Sequence, residues 1–141
     1  MSIIRLFRRI FGRLKIQDDK DPRHSLGAIG EKSALNHLKY EGYRIRALNY
    51  RTKQGEIDII AQEKNCIAFV EVRTLSGKQH DDAFSTVTNE KRHRLTKTAH
   101  QYLVKYKLTE MKWRFDFISV IVPENRIPKV KLIRNAFPPV G

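Results

Sequence analysis

The sequence feature that most constrains the fold is a pair of short segments, about residues 56–62 and 66–74, rich in isoleucine, valine and phenylalanine and separated by a few polar residues. Segments of this length and composition are typical of β-strands. If Lys64-Asn65 forms a two-residue turn, the segments fold into an antiparallel hairpin. Counting back from that turn places Asp58 directly opposite Glu71.

Side-chain alternation predicts which residues share a face of each strand. In the first segment, Ile57, Ile59 and Ala61 are expected on one face, and Glu56 and Asp58 on the other. In the second segment the same rule separates an apolar face from a charged one: Ala68, Val70 and Val72 on the first, and Phe69, Glu71 and Arg73 on the second.

The carboxylates of Asp58 and Glu71 would therefore face each other, and the same count pairs Glu56 with Arg73. Directly opposed like charges destabilise a sheet unless a cation, a shared proton or solvent lies between them. A divalent metal is the most economical answer, and hard oxygen ligands favour Mg²⁺ or Mn²⁺ over zinc. The alternative to a metal site is the solvent-exposed face of an ordinary hairpin, on which acidic and basic side chains commonly occur together.

A third carboxylate, Glu31, is predicted to point toward the sheet. It lies in a helix expected over about residues 25–41, on the same helical face as Ala34, Leu35 and Leu38. A carboxylate that points inward is costly without a partner. The alternative is a core acid paired with an arginine.

The rest of the chain completes an α/β pattern of the order αβββαβ, with a mixed sheet flanked by helices. Strands are expected over about residues 44–51 and 113–122, and an edge strand within 126–137. A second helix, over about 88–105, is predicted from an apolar stripe made of Leu95, Ala99, Tyr102, Leu103 and Tyr106. Lys91, one turn before Leu95, projects from the inner side of that helix.

The length of 141 residues fits one hydrophobic core. We predict a domain over residues 23–141, preceded by an extension and linker over 1–22. Within the extension, residues 1–15 alternate apolar and basic side chains at helical spacing, which predicts a basic amphipathic helix. Such a helix could lie on a membrane surface, dock on the domain or a partner, or contact phosphates.

The net charge of +13 and the isoelectric point near 10.1 indicate a polyanionic partner, most commonly nucleic acid. A generic basic protein or one that touches anionic lipid is the alternative. The single cysteine, Cys66, excludes an internal disulfide, and no apolar run approaches the ~20 residues that span a bilayer. A cytoplasmic protein that is neither exported nor membrane-spanning is therefore expected.

Four short motifs carry a family resemblance: Gly30-Glu31, Gly55-Glu56-Ile57-Asp58, Phe69-Val70-Glu71-Val72-Arg73 and Arg114-Phe115-Asp116. Together they resemble the YraN family of uncharacterised bacterial proteins over about residues 26–122. That family is similar to the PD-(D/E)XK restriction-endonuclease-like superfamily, which includes archaeal Holliday-junction resolvases. The resemblance implies a restriction-endonuclease-like core.

The resemblance also implies roles for individual residues in a Mg²⁺- or Mn²⁺-dependent hydrolysis of phosphodiester bonds. Asp58 and Glu71 would be metal ligands, with the carbonyl of Val72 completing the coordination, and Glu31 would be the supporting acid. Arg73 stands where the family pattern usually has a lysine. Because an arginine stays protonated in proteins, it can stabilise charge there but cannot help to activate water.

Three function classes follow from the sequence. The leading one is a metal-dependent nuclease, structure-selective or nonspecific, with DNA favoured over RNA as its substrate and the choice between them open. Its predicted phosphate contacts are Lys78, Lys91, Arg92 and Arg94. The second is a binding module of the same fold in which Arg73 impairs cleavage, and the third is a scaffold recruited to a membrane or protein through residues 1–15. The oligomeric state is open.

Overall fold

The computed structural model describes residues 22–76, 81–123 and 127–141. The helices are α1 (Pro22–Tyr40), α2 (Asp81–Phe84) and α3 (Asn89–Lys105), and the strands are β1 (Arg44–Thr52), β2 (Gly55–Glu63), β3 (Cys66–Leu75), β4 (Lys112–Ile121) and β5 (Lys129–Phe137). The predicted amphipathic helix over residues 1–15 and the predicted phosphate contact Lys78 lie outside the described residues. The division into residues 1–22 and 23–141 stays a prediction.

The five strands form one mixed sheet in the order β1-β2-β3-β4-β5. Strands β3 and β4 are parallel, whereas the other neighbouring pairs are antiparallel. The predicted αβββαβ order is confirmed, and β5 is the expected edge strand. A single helical turn, α2, lies between β3 and α3. This α/β architecture is that of a restriction-endonuclease-like core.

Each face of the sheet carries its own hydrophobic cluster. On one face, α1 packs Ala34, Leu35 and Leu38 against the sheet. On the other face, α3 contributes four buried side chains: Leu95, Ala99, Tyr102 and Leu103. Parallel strands with helices on both faces read as continuous apolar runs, as β4 does. Within the described residues, no helix is long and apolar enough to cross a membrane.

Tyr106 was expected to belong to the buried stripe of α3, and this prediction is wrong. Helix α3 ends at Lys105, and Tyr106 is its C-terminal cap, with a side chain that is 47% exposed. The ring packs on Tyr102 with a centroid separation of 4.6 Å and leaves its outer part to solvent.

The alternation predicted for β2 fails at Ile57. Ile59 packs in the cluster toward α1, but Ile57 packs in the cluster toward α3. Their partners on β1 change sides in the same way, because Tyr50 joins the α3 cluster and Leu48 joins the α1 cluster. Between these partners Asn49 has a φ of 49°, a left-handed conformation that Asn tolerates better than most residues. The side-chain alternation of both strands therefore shifts beside Asp58, which lies between the two isoleucines.

A buried polar network fixes the far end of the sheet. Asp116, which is fully buried, accepts hydrogen bonds from Arg114 Nε at 2.8 Å, from Tyr43 Oη at 2.7 Å and from the backbone N–H of Asn135 at 2.9 Å. Arg114 also binds Glu63 at 2.8 Å. The network connects β4 and β5 to Tyr43, the residue before β1.

Candidate functional site

The β2–β3 hairpin presents Asp58 where its regular pairing ends. The predicted register is confirmed for the pairs from Glu63–Cys66 to Ile59–Val70. The next position along this ladder belongs to Asp58, whose Oδ2 accepts a hydrogen bond from the backbone N–H of Val72 at 2.8 Å. A side chain thus replaces a backbone partner, which fixes the carboxylate in the plane of the sheet beside β3.

Glu71 lies on the α3 face of β3 and is 3% exposed. Its Oε1 is 2.6 Å from the ammonium of Lys91 and 3.2 Å from Nη2 of Arg73. Although both cations lie within ion-pair distance, neither makes an aligned hydrogen bond to this oxygen. Glu71 is therefore compensated by charge while one of its acceptor oxygens keeps unused hydrogen-bonding capacity.

The environment of Asp58 raises the pKa of its carboxyl from the ordinary 3.8 to about 7. Burial is the largest cause, followed by the neighbouring charge of Glu71, with a smaller contribution from Glu31. The N–H of Val72 and the ammonium of Lys91 act in the opposite direction. Close to neutral pH, Asp58 is therefore poised between its neutral and charged forms, and a nearby cation would decide between them.

Glu31 approaches the same place from helix α1. With Asp58, Val72 and Arg73 it lines a cavity of about 350 Å³. The pKa of Glu31 is raised, first by burial and then by the charge of Glu56. The prediction that this carboxylate points toward the sheet is confirmed.

Gly30 explains how α1 comes close enough to deliver Glu31. A Cβ at Gly30 would lie 1.7 Å from Oγ1 of Thr74 on β3 and 2.7 Å from its Cβ. No side chain fits in that space. The absence of a side chain at Gly30 therefore sets the distance between α1 and β3, and with it the position of Glu31.

Glu56 was expected opposite Arg73, and this prediction is wrong. In the β1–β2 ladder Glu56 is paired with Arg51, and Oε1 of Glu56 is 3.2 Å from Nε of Arg51. The hairpin register was extended too far, because the pairing of β2 with β3 ends at Ile59–Val70.

Arg73 is held at the side of the site rather than free within it. Its Nε donates to Oγ1 of Thr86 at 3.1 Å, and Thr86 donates in turn to the carbonyl of Ala83 at 2.6 Å. The segment between α2 and α3 thus orients the guanidinium while Nη2 reaches Glu71. Arg73 is positioned to stabilise negative charge beside Glu71.

The three other predicted phosphate contacts in the described residues have different surroundings. Lys91 reaches inward and lies 2.6 Å from Oε1 of Glu71. The sequence analysis did not predict this ion pair. Arg92 stacks over the rings of Phe84, at 5.7 Å, and Phe137, at 5.0 Å. Arg94 is 56% exposed and lies 3.8 Å from Glu90. Of these three residues only Arg94 is exposed, and the phosphate contacts stay predictions.

Comparison with known proteins shows to which family this chain belongs. The model of the family described as "Uncharacterised protein family UPF0102" matches residues 30–120. This chain belongs to the UPF0102 family. The resemblance to the YraN family is thereby confirmed, since the two names denote the same family.

Several UPF0102 proteins are similar to this chain over most of their length. One from Clostridium kluyveri is 38% identical over 79% of this chain and 93% of its own. One from Clostridium botulinum strain Loch Maree is 41% identical over 79% and 93%, and one from Alkaliphilus metalliredigens is 40% identical over 80% and 97%. The UPF0102 match includes Glu31, Asp58, Glu71 and Lys91, so the site lies within the part of the chain that defines the family.

The oxygen donors at this UPF0102 site, two carboxylates and a backbone carbonyl, are of the type that a hard divalent cation prefers. Among the described residues, no three side chains of the types His, Cys, Asp and Glu are grouped so that they could hold a metal ion. A metal would therefore depend on two carboxylates and a backbone oxygen, those of Asp58, Glu71 and Val72. The unaligned Oε1 of Glu71 and the raised pKa of Asp58 are both features that a bound cation would relieve.

Proposed function

We propose that this UPF0102 protein is a metal-dependent nuclease that hydrolyses phosphodiester bonds. The observation that carries the proposal is the pair of carboxylates at the end of the β2–β3 hairpin. Asp58 accepts a hydrogen bond from the N–H of Val72, and the buried Glu71 forms an ion pair with Lys91. Buried acids with cations beside them and a raised pKa are typical of functional sites. The net charge of +13 supports a polyanionic substrate, and DNA is the first to test.

In this proposal each residue has a role that follows from its position in the site. Asp58, Glu71 and the carbonyl of Val72 would hold Mg²⁺ or Mn²⁺. When bound, the ion would supply positive charge that favours deprotonation of water and stabilises negative charge on the phosphoryl oxygens. Glu31, across the cavity from Asp58, would accept a hydrogen bond from a water in that cavity and orient it.

Lys91 and Arg73 would act on the phosphate. Both reach the same oxygen of Glu71, at 2.6 and 3.2 Å, so a phosphate that enters beside Glu71 meets an ammonium and a guanidinium. Arginine stays charged and can only stabilise the transition state, whereas lysine can also move a proton when its surroundings change. Lys91 on α3 would therefore supply the amine that the position of Arg73 lacks.

The test uses the purified full chain with labelled single-stranded DNA, duplex DNA, a four-way junction and RNA, each with Mg²⁺, Mn²⁺ or EDTA. Cleavage that requires metal is expected, and Asp58→Asn and Glu71→Gln should each slow it by at least about 100-fold. Glu110→Gln, which changes an exposed acid elsewhere, is the matched control. Metal-independent cleavage, or cleavage that survives both substitutions, would contradict the proposal.

One observation favours a second candidate, a nucleic-acid-binding module that does not cleave. Arg73 binds Thr86 and Glu71, and Lys91 also lies beside Glu71, so two side-chain cations already compensate the carboxylate that is proposed to bind a metal. Binding of DNA with equal affinity in Mg²⁺ and EDTA, without cleavage even in an Arg73→Lys variant, would support this candidate instead. The scaffold role of residues 1–15 stays a prediction outside the described residues.

A further inference from the structure

A groove lies between the edge strand β1 and the C-terminal half of α3. It consists of two neighbouring cavities, of about 430 and 480 Å³. Tyr102 lines the first and Tyr50 lines the second, and their rings meet edge to face with centroids 5.2 Å apart. The two cavities are therefore parts of one surface, which we call the β1–α3 groove.

The charges of the groove are of one sign. Arg44 and Arg46 line its first cavity and Lys105 its second, and no acidic residue is among the described residues that line either one. Arg46 donates from Nε to Tyr102 Oη at 2.9 Å and from Nη1 to Gln62 at 3.0 Å. Both partners are neutral, so they orient the guanidinium without neutralising it.

This cationic groove differs from the cluster around Tyr43 and Glu63, where arginines are paired with acids. Arg114 and Arg134 both bind Glu63, at 2.8 Å each. The positive charge of those two arginines is compensated within the protein. The charge of the β1–α3 groove therefore remains available to an anionic ligand.

The groove also offers aromatic surface beside its cations. Tyr106 is 47% exposed, and the ammonium of Lys105 lies 5.5 Å from the centre of its ring. Val104 is 67% exposed beside it. An exposed ring next to cations suits an unpaired nucleotide, whose base can stack while its phosphate meets the charges. In a duplex the bases are already stacked on each other, so a duplex would use only the cations.

One face of α3 connects the groove to the candidate site. Lys91, Arg94, Gln101 and Lys105 follow one another at intervals of three, seven and four residues, which places them along one side of the helix. Gly55 of β2 lies against this side, 3.4 Å from Cβ of Arg94 when a Cβ is placed on it. Lys91 at Glu71 and Lys105 at the groove are 14 residues apart, roughly 21 Å along the helix.

We propose that the β1–α3 groove binds a single-stranded stretch of nucleic acid whose continuation reaches the carboxylate site along this side of α3. The inference rests on the proposed function in naming the substrate class, a strand with unpaired nucleotides about 20 Å from the bond that is cut. The groove itself is a binding surface that acts without metal. A second copy of this chain is a poorer occupant, because it would bring the uncompensated cations of two grooves together.

The experiment measures binding of the full chain in EDTA, so that cleavage plays no part. The probes are a fluorescein-labelled 12-nucleotide single strand of thymidines and a labelled duplex of the same length, followed by fluorescence anisotropy. Tyr106→Leu keeps the apolar contact with Tyr102 and removes the stacking surface. Arg46→Gln removes a charge and keeps a group that can bind Gln62.

Tyr106→Leu is expected to weaken single-strand binding by about fivefold or more and duplex binding by less than about twofold. Arg46→Gln is expected to lower by about one the slope of log affinity against log salt for the single strand. Tyr40→Leu, which changes a tyrosine that is 87% exposed elsewhere, and Lys129→Gln on the opposite edge strand are the matched controls. Thermal unfolding checks that all four variants fold.

Equal effects of Tyr106→Leu on single strand and duplex, or effects no larger than those of the controls, would overturn the inference. So would light scattering that shows a dimer dependent on Tyr106 while the affinity for the single strand is unchanged. Binding that depends on Tyr106, without cleavage when metal is added, would contradict the proposed nuclease activity and leave the proposed role of the groove standing. Cleavage at the same rate in the Tyr106→Leu and Arg46→Gln variants would contradict the proposed role of the groove and leave the proposed nuclease activity standing.

Discussion

The ammonium of Lys91 on α3 lies 2.6 Å from Oε1 of Glu71 on β3, and the carboxylate it meets is almost fully buried. The contact joins the helix that covers one face of the sheet to the strand that carries the candidate site. A buried carboxylate needs such compensation, because desolvation of an unpaired charge is costly. Lys91 is therefore both a support of the fold and the cation closest to the proposed chemistry.

Removal of this cation should destabilise the protein. We expect Lys91→Met to lower the free energy of unfolding by about 1–2 kcal/mol at pH 7, less than for a fully buried pair because the lysine side chain is 26% exposed. Urea denaturation measures the change. The double variant Lys91→Met with Glu71→Gln should recover most of the loss, since it also removes the buried charge of Glu71. A single variant as stable as wild type would show that Glu71 does not depend on Lys91.

The raised pKa of Asp58 makes stability depend on pH in a defined direction. The folded protein holds a proton on Asp58 up to about pH 7, whereas an unfolded aspartate loses it near 3.8. The folded state therefore binds more protons in this window, and the contribution of Asp58 to stability is present below it and is lost as the pH rises through it. In EDTA, Asp58→Asn should be more stable than wild type at pH 8 by about 2 kcal/mol.

The control for this pH effect is the same comparison at pH 4. There both side chains are neutral in the folded state, so the advantage of the Asp58→Asn variant should nearly disappear. Glu110→Gln, an exposed acid, should shift stability by a similar small amount at both pH values. An Asp58→Asn advantage that is the same at pH 4 and pH 8 would mean that the carboxyl of Asp58 titrates normally.

The close approach of α1 to β3 at Gly30 should tolerate no side chain. Gly30→Ala places a Cβ against Thr74, and we expect a loss of about 2 kcal/mol in the free energy of unfolding despite the better helix propensity of alanine. Gly27→Ala is a matched control in the same helix, because nothing lies within 4 Å of its added Cβ. That variant should gain up to about 1 kcal/mol.

The two glycine variants separate packing from helix propensity. If Gly30→Ala were as stable as Gly27→Ala, α1 would be free to move away from β3. The displacement of Glu31 could then be followed by its effect on Asp58, since the charge of Glu31 contributes to the raised pKa of Asp58.

Metal binding should depend on the two carboxylates of the hairpin. Isothermal titration calorimetry with Mn²⁺ is expected to show binding to the wild-type chain and to Glu110→Gln, and at least about tenfold weaker binding to Asp58→Asn and Glu71→Gln. Lys91→Met should bind Mn²⁺ more tightly than wild type, because the ammonium competes for the same oxygen of Glu71. Heat of binding that is unchanged in both carboxylate variants would place any metal elsewhere.

Local sequence patterns determined the elements of this fold and the register of its central hairpin. The strands could be predicted because β-branched residues recur between turn residues, and the two-residue turn at Lys64-Asn65 fixed the pairing up to Ile59–Val70. Gly42, with a φ of 93°, follows the end of α1, where a left-handed glycine commonly stops a helix. The resemblance to the YraN family likewise rested on short motifs that are readable without a structure.

Two predictions were wrong because they extended a periodic pattern beyond the residues that have regular backbone geometry. Strict alternation placed Ile57 with Ile59, but Asn49 on the neighbouring strand adopts a left-handed conformation, and the side-chain alternation of both strands shifts there. Helical spacing placed Tyr106 in the core, but the helix ends one residue earlier. In both cases a conformation at one residue overrode a periodicity that assumes uniform backbone geometry.

The sequence by itself determined the order of helices and strands, the hairpin that carries Asp58 and Glu71, and the excess of positive charge. Only the tertiary structure decided that Lys91 compensates Glu71, that Arg73 is bound by Thr86 and that cations and tyrosines form a groove. The physical reason is that alternation and turn geometry act between near neighbours in the chain. The contacts of Lys91 with Glu71 and of Tyr102 with Arg46 join residues far apart in the chain, and their geometry depends on how whole elements pack.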